Sequence, residues 1–253
     1  MIRYGAYCLL SIFILTASAR ADDIAMAFQE GRFQDVIAQK QEQTSQADRM
    51  LIARAYMILG GFYSNKEDAL ASLSLARGYV EGILKETPDH LEARLTYVLV
   101  IGFQAKFDKS ASEAKRAKKL ILEALELYPA SGLTHGALAG WHSEVSAAGF
   151  MAKIFLGGSR SQAALSFQKA LSYEPEDIPL LFQYGKFLAR GNKAERQEAI
   201  TIFSKVINQP TQEAVAILLQ KKAIPILQAL QEDNKNLIKQ RILENSAYAV
   251  LYA

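Results

Sequence analysis

The residues best suited to chemistry are concentrated in one stretch, THGALAGWHSEVSAAGFMAKIFLGGSRS, at residues 134–161. It holds the only tryptophan, Trp141, two of the three histidines and five glycines. On a helix, His135 and His142 would lie on one side but two turns, about 10.5 Å, apart. That is too far to bind one metal ion together, and a helical zinc motif would space them by four residues. We therefore expect no metal site and interpret the histidines as polar residues on a half-buried helix face.

Catalysis by this stretch has little support. Ser143 sits in GWHSEV, which lacks the second glycine of a Gly-x-Ser-x-Gly nucleophile elbow. The adjacent His142 would point about 100° away from it on a helix. The turn at residues 157–160, Gly-Gly-Ser-Arg, could cradle a phosphate at a helix start, but it lacks the lysine and the spacing of a P-loop. We predict a protein that is not an enzyme and holds no cofactor.

The N-terminus has the form of an export signal. An apolar run covers residues 6–17 after Arg3, and Ala19-Arg20-Ala21 fits a signal-peptidase site. The run is about a dozen residues long, whereas a membrane-spanning helix needs roughly 20. We therefore predict a signal peptide at residues 1–21 that is cleaved after Ala21; a retained anchor is the alternative.

Composition places the remaining chain among soluble folded proteins. Half of the 253 residues are apolar and 22% are charged, enough to bury a sizeable core. Removing Arg3 and Arg20 with the signal leaves 29 − 2 = 27 basic against 26 acidic residues, a balance that argues against a nucleic-acid partner. The only cysteine, Cys8, lies near the start of the apolar run, whereas a lipoprotein cysteine would follow it, so neither a lipid anchor nor disulfides are expected. A periplasmic protein without an integral membrane span fits these observations.

The end of the stretch at residues 134–161 leads into a helix, predicted at residues 159–175, that has clear start and stop signals. It opens with a Ser-x-x-Gln capping box at Ser159 and Gln162 and ends at Pro175, which cannot continue a helix. Its small and apolar residues fall four and three positions apart and therefore share one face: Ala163, Phe167 and Ala170.

The same offsets recur along the chain, each time behind a helix-start signal at Ser64, Ser110 or Asn192. The other copies are Ala76, Val80, Ile83 and Pro88; Ala117, Ile121, Ala124 and Pro129; and Ala199, Phe203, Val206 and Pro210, where the proline comes one residue earlier than in the other copies. Such a pattern resembles the second helix of a tetratricopeptide repeat. The resemblance implies an all-α fold: a right-handed superhelical stack of antiparallel helix pairs, an irregular TPR-like α-solenoid.

The repeats are unequal in length. The alanines that begin each copy are 41, 46 and 36 residues apart, against roughly 34 in the standard family, and we assign the extra residues to longer first helices. We predict an N-terminal helical cap at residues 22–46, broken at Gly31, and four pairs at residues 47–210. Capping helices follow at residues 211–253, one capped by Thr211 and kinked at Pro225, the last running from Asn236 to Tyr252.

In tetratricopeptide proteins ligands usually bind along the concave face built by the first helices. Carrying those positions over to this sequence selects Phe103, Lys106, Trp141, Glu144 and Lys186 as the lining of a groove. Aromatic residues beside charges suit a peptide ligand. Two interpretations of Phe103 and Trp141 stay open, because both could equally belong to the core.

The region from His135 to Arg190 also resembles the repeat region of the regulator of microtubule dynamics family, through its Gly-Trp-x-x-x-Val segment. An exported chain would not share that family's microtubule role. The tetratricopeptide resemblance, together with the export signal, favours a non-catalytic, periplasmic scaffold that binds a peptide or protein partner. The alternative is a small-molecule carrier or transporter accessory protein with a cavity inside the stack.

Overall fold

The structure, a computed structural model, describes residues 23–39 and 44–251. The predicted signal peptide at residues 1–21 and its cleavage site after Ala21 lie outside these ranges. The described residues form helices and no β-strand, which confirms the all-α prediction. Within them, none of the helices has both the length and the apolar character that crossing a membrane requires.

Thirteen α-helices and one 3₁₀ turn make up the described chain. In order they are α1 (23–29), α2 (Phe33–Ala38), α3 (Gln46–Phe62), α4 (Lys66–Glu86), α5 (Leu91–Phe107), α6 (Ala111–Leu127), α7 (Gly132–Ala147), α8 (Phe150–Leu156), α9 (Arg160–Tyr173), α10 (Ile178–Ala189), α11 (Lys193–Asn208), α12 (Ala214–Gln231), α13 (Lys235–Glu244) and the 3₁₀ turn Ala249–Leu251.

Four helix pairs form the stack: α3 with α4, α5 with α6, α7 with α9, and α10 with α11. Short connections make the partners of most pairs antiparallel. The first helices α3, α5, α7 and α10 contact one another in sequence, whereas the second helices make fewer contacts among themselves. The first helices therefore form one continuous row along the stack, and α12 continues this row.

Burial explains why the second helices carry the recurring pattern. The small and apolar positions of all four copies are 0–1% exposed, because each points into its own pair and the first helix that follows. Small residues there let helices approach closely around the larger ones. These positions are Ala76, Val80, Ile83, Ala117, Ile121, Ala124, Ala163, Phe167, Ala170, Ala199, Phe203 and Val206.

Most helix starts lie where the capping residues predict. The side chains of Ser110, Ser159 and Asn192 each accept a backbone N–H bond three residues on. At α4 the prediction was wrong by one position: Asn65 accepts from the N–H of Asp68, while the Ser64 hydroxyl donates to the carbonyl of Leu59.

At α5, Nδ1 of His90 accepts the N–H of Ala93 and caps the helix. The start of α12 differs from the prediction. Thr211 accepts only from the N–H of Glu213, so α12 begins at Ala214 without a side-chain cap. Pro225 lies inside α12, which continues to Gln231.

The extra residues of the third pair do not lengthen its first helix. α7 has 16 residues, against 17 in α3 and in α5, so the expectation of a longer helix is wrong there. The insertion forms α8 as a separate helix between Gly149 and Gly157, whose φ values of 109° and 73° are accessible chiefly to glycine. The chain thus leaves the pair after α7 and returns to begin α9.

The end of the chain folds back on its beginning. The predicted last helix stops at Glu244, because the chain turns at Tyr248, which adopts a φ of 59°. The N–H of Tyr248 donates to the carbonyl of Gly61 over 2.7 Å. Leu218 and Leu251 join the core formed by α1–α4, so the first and last elements share one hydrophobic cluster.

Candidate functional site

Three consecutive first helices bring four charged side chains together along the row that these helices form. Lys106 comes from α5, Glu144 from α7, and Lys186 and Arg190 from the end of α10. Glu144 lies between its neighbours: one carboxylate oxygen is 3.1 Å from Nζ of Lys106 and the other 2.8 Å from Nη1 of Arg190. We call these four residues the Glu144 cluster.

Lys186 is the buried member of the cluster. The residue is only 5% exposed to solvent. Its Nζ donates to Oε1 of Gln183 over 3.2 Å. Burial lowers the pKa of Lys186 to about 8; Glu144 opposes this shift, while Arg190 and Lys106 add to it. At neutral pH the ammonium therefore keeps most of its charge, but it titrates far more easily than an exposed lysine.

Glu144 stays ionised. Its surroundings alone would raise its pKa by desolvation, but the positive charges of Arg190, Lys186 and Lys106 hold the pKa of this carboxyl well below its usual range. Three cations around one carboxylate leave the cluster with two excess positive charges. Because Lys106 and Arg190 remain reachable from solvent, this arrangement can accept an anionic group from outside.

Trp141 points away from the cluster. Its indole Nε1–H donates to the carbonyl of Ala114 over 2.9 Å, and Nζ of Lys118 lies 4.7 Å from the ring centroid. Both partners belong to α6, and the ring packs against the core of the second pair. The structure thus uses Trp141 to hold α7 against α6.

Phe103 is also engaged within the chain. Its ring centroid lies 4.4 Å from that of Tyr248, which is fully buried. Of the five residues selected from the sequence, the three charged ones meet in one cluster, while Phe103 and Trp141 lie in separate packing contacts.

Arg190 is the member of the cluster that the sequence reasoning missed. It follows Lys186 by four residues and so lies on the same side of α10, a spacing that could have identified it. It stands at the C-terminal end of the helix, outside the positions that the family pattern supplies.

The two histidines serve the packing of the third pair. Nδ1 of His142 accepts a bond from the N–H of Ser159 over 3.2 Å, which holds the start of α9 against α7. Burial, with the charge of Lys118, lowers the pKa of His142. His135 lies against the ring of Tyr173 and the carbonyl of Pro129. Across residues 23–39 and 44–251, no group of three His, Cys, Asp or Glu side chains is placed to hold a metal ion.

A cavity of about 380 Å³ opens next to Arg190. Its apolar floor is formed by Ile238 and Ile242 of α13. Arg196, which is tied to Asp233 over 2.9 Å, belongs to its rim. The cations that line it are Arg190, Arg196, Lys235 and Lys239.

No family model matches the chain, and no curated protein shows a significant match to its sequence.

Proposed function

We propose that this protein is a non-catalytic, periplasmic interaction module that binds a peptide or protein partner on its concave face. The observation that carries the proposal is the Glu144 cluster, where three cations from α5 and α10 surround one carboxylate. An acidic side chain or a free C-terminus of the partner is the group that fits this excess of positive charge. The tetratricopeptide resemblance supports the same face, since ligands of that family lie along the first helices.

Glu144 acts in this proposal as an internal carboxylate that the partner displaces or joins. It neutralises part of the charge in the free protein, which keeps three neighbouring cations from repelling one another. A partner carboxylate would bind Lys106 and Arg190, the two cations that solvent reaches, while buried Lys186 adds attraction from beneath. Its burial at 5% exposure makes Lys186 a source of charge rather than a nucleophile.

The first test compares two lysines that differ in position. Lys106→Gln removes a cation of the cluster that is 44% exposed. Lys205→Gln removes a lysine of the second helix α11 that is 38% exposed and pairs with Glu176 in the connection between α9 and α10. Labelled peptides of equal length, one set rich in acidic residues and one neutral, are titrated and followed by fluorescence anisotropy. We expect acidic peptides to bind more tightly than neutral ones. Lys106→Gln should weaken the binding of acidic peptides about fivefold, which corresponds to a loss of roughly 1 kcal/mol of binding free energy.

Glu144→Gln should have the opposite effect on peptide affinity. Without the internal carboxylate, nothing competes with the peptide for the cations, so acidic peptides should bind more tightly by a similar factor. Equal binding of acidic and neutral peptides, or equal effects of the two lysine substitutions, would contradict the proposal.

A carrier of small anionic amphiphiles is the second candidate, and the cavity beside Arg190 is the observation that favours it. Its isoleucine floor and four lining cations suit an apolar chain with an acidic headgroup. Native mass spectrometry of the protein purified from its envelope distinguishes the two functions. A retained small anion would favour the carrier, and an empty protein that binds acidic peptides would favour the interaction module.

A further inference from the structure

The helix inserted into the third pair carries an exposed apolar surface. Phe150, Met151, Ile154 and Phe155 of α8 are between 58% and 75% exposed, and the helix buries none of its residues. Large apolar side chains scattered singly over a surface are ordinary, but four within seven residues are not.

These four side chains share one face of α8. At 100° per residue they fall within an arc of about 140°. Ala152 and Leu156, on the opposite side, are half-buried against the protein. Lys153 lies at the edge of the exposed arc, where its long stem can lie along an apolar surface and its ammonium can reach a polar boundary.

The surroundings of α8 are basic. From residue 145 to residue 173 the chain contains no aspartate or glutamate, and its charged residues are Lys153, Arg160 and Lys169. Helix α6 contacts α8; it carries four basic residues, among them Lys115 and Lys118, against three glutamates. Within the described ranges, Lys115, Lys118 and Lys153 form no ion pair.

We infer that α8 docks this protein on the surface of an anionic lipid bilayer, with its four apolar side chains in the interface and the neighbouring lysines against acidic headgroups. A short helix with a wide apolar face flanked by lysines has the chemistry of an interfacial element. Pairing of α8 with a second copy is less favourable, because it would bring two Lys153 side chains and two lysine-bearing α6 helices together. The inference does not rest on the peptide-binding proposal, since the Glu144 cluster uses other residues.

The test is sedimentation of the purified chain with vesicles. One preparation contains equal parts of phosphatidylglycerol and phosphatidylcholine, and the other phosphatidylcholine alone. The key variant is Ile154→Ser, Phe155→Ser; its control is Ile224→Ser, Leu243→Ser, which alters two exposed apolar residues on α12 and α13. All proteins share one N-terminus, so any contribution from its apolar run cancels.

We expect the wild-type chain and the control to bind the anionic vesicles, and the α8 variant to bind them about tenfold more weakly. Lys153→Gln should also weaken binding, while Lys221→Gln, an exposed lysine of α12, should not. Unchanged thermal melting confirms that these exposed substitutions leave the fold intact. Equal binding by all variants would overturn the inference. So would a concentration-dependent dimer, formed without vesicles and lost in the α8 variant, because it would assign the face to a second copy.

Discussion

Lys186 illustrates how a single buried charge can favour binding while it weakens the fold. Its folded-state pKa of about 8 lies below the ordinary value of 10.5, so the folded state holds its proton less tightly than the unfolded state. Below pH 8 both states are protonated and the burial cost is present in full. Between about pH 8 and 10.5 only the unfolded state keeps the proton, so the free energy of unfolding rises with pH there.

Lys186→Met should therefore stabilise the protein at pH 7 by about 1–3 kcal/mol, because an apolar side chain of similar length removes the buried charge. Urea unfolding at pH 7 and at pH 10 measures this effect. The gain should shrink at pH 10, where the wild-type lysine is largely neutral when folded. The same variant should bind acidic peptides more weakly, and in the wild-type protein that binding should fall as pH rises through about 8. A destabilised variant with unchanged peptide binding would contradict both expectations.

Three of the four charged residues of the site were accessible from the sequence, but the directions of the aromatic ones were not. Lys106 and Glu144 occupy the same inner position of successive first helices and Lys186 lies about one turn earlier on the next, so the repeat register brings the three to one side of the stack. The directions of Phe103 and Trp141 depend on Tyr248 and on Ala114 of α6. No short-range pattern encodes those partners.

At the scale of the helix pair, close approach depends on glycines that face a neighbour. A Cβ added to Gly185 of α10 would lie 2.9–3.1 Å from ring atoms of Phe203 on α11. By contrast, a Cβ added to Gly140 of α7 would meet nothing within 4 Å.

Gly185→Ala should therefore destabilise the protein by about 1–3 kcal/mol, because the extra methyl group overpacks the α10–α11 contact. Gly140→Ala is the matched control and should be neutral or stabilising by up to about 1 kcal/mol, as expected for alanine in a helix interior. Thermal and urea unfolding of both variants tests the assignment. Equal effects would show that the α10–α11 contact tolerates a wider spacing.

The second helices were the most predictable elements. Their buried positions repeat at fixed offsets and their ends carry prolines, so pattern and burial agree in all four copies. Helix α8 escaped prediction, since its apolar residues FMAKIFL read as a continuation of α7. The two helices are separated at Gly149, which has a positive φ. The sequence alone does not reveal this break, because a glycine in an apolar stretch is equally common inside a helix that packs closely on a neighbour.

At the scale of the whole molecule, Tyr248 connects the two ends of the stack. It is fully buried, its hydroxyl lies 3.5 Å from Sδ of Met57, 191 positions away, and its ring packs on Phe103. The sequence predicted only that the C-terminal helices would cover the end of the stack next to α11. Contacts between such distant residues depend on how the whole row of first helices packs, which local patterns do not determine.

Tyr248→Ala should lower the free energy of unfolding by about 3–5 kcal/mol, the usual cost of truncating a buried aromatic residue. It should also increase amide hydrogen exchange in α3 and α5, which Tyr248 contacts through Gly61 and Phe103. Tyr63→Ala, at an exposed tyrosine next to α3, is the control and should change neither quantity much. Faster exchange confined to α13 would mean that the C-terminal segment is only loosely attached.

The shared core of the first and last elements also bears on the order in which the chain can fold. In an open array of repeats each unit depends on its neighbours alone, so folding can start anywhere and the ends can fray separately. Here Ile24 and Leu251 belong to one cluster, and neither end can complete its packing until the other is present. The closed arrangement should fold more slowly than an open array of equal length, because many of its contacts join distant parts of the chain. The N-terminal pairs would remain incomplete, and open to proteases, until the last residues have been synthesised.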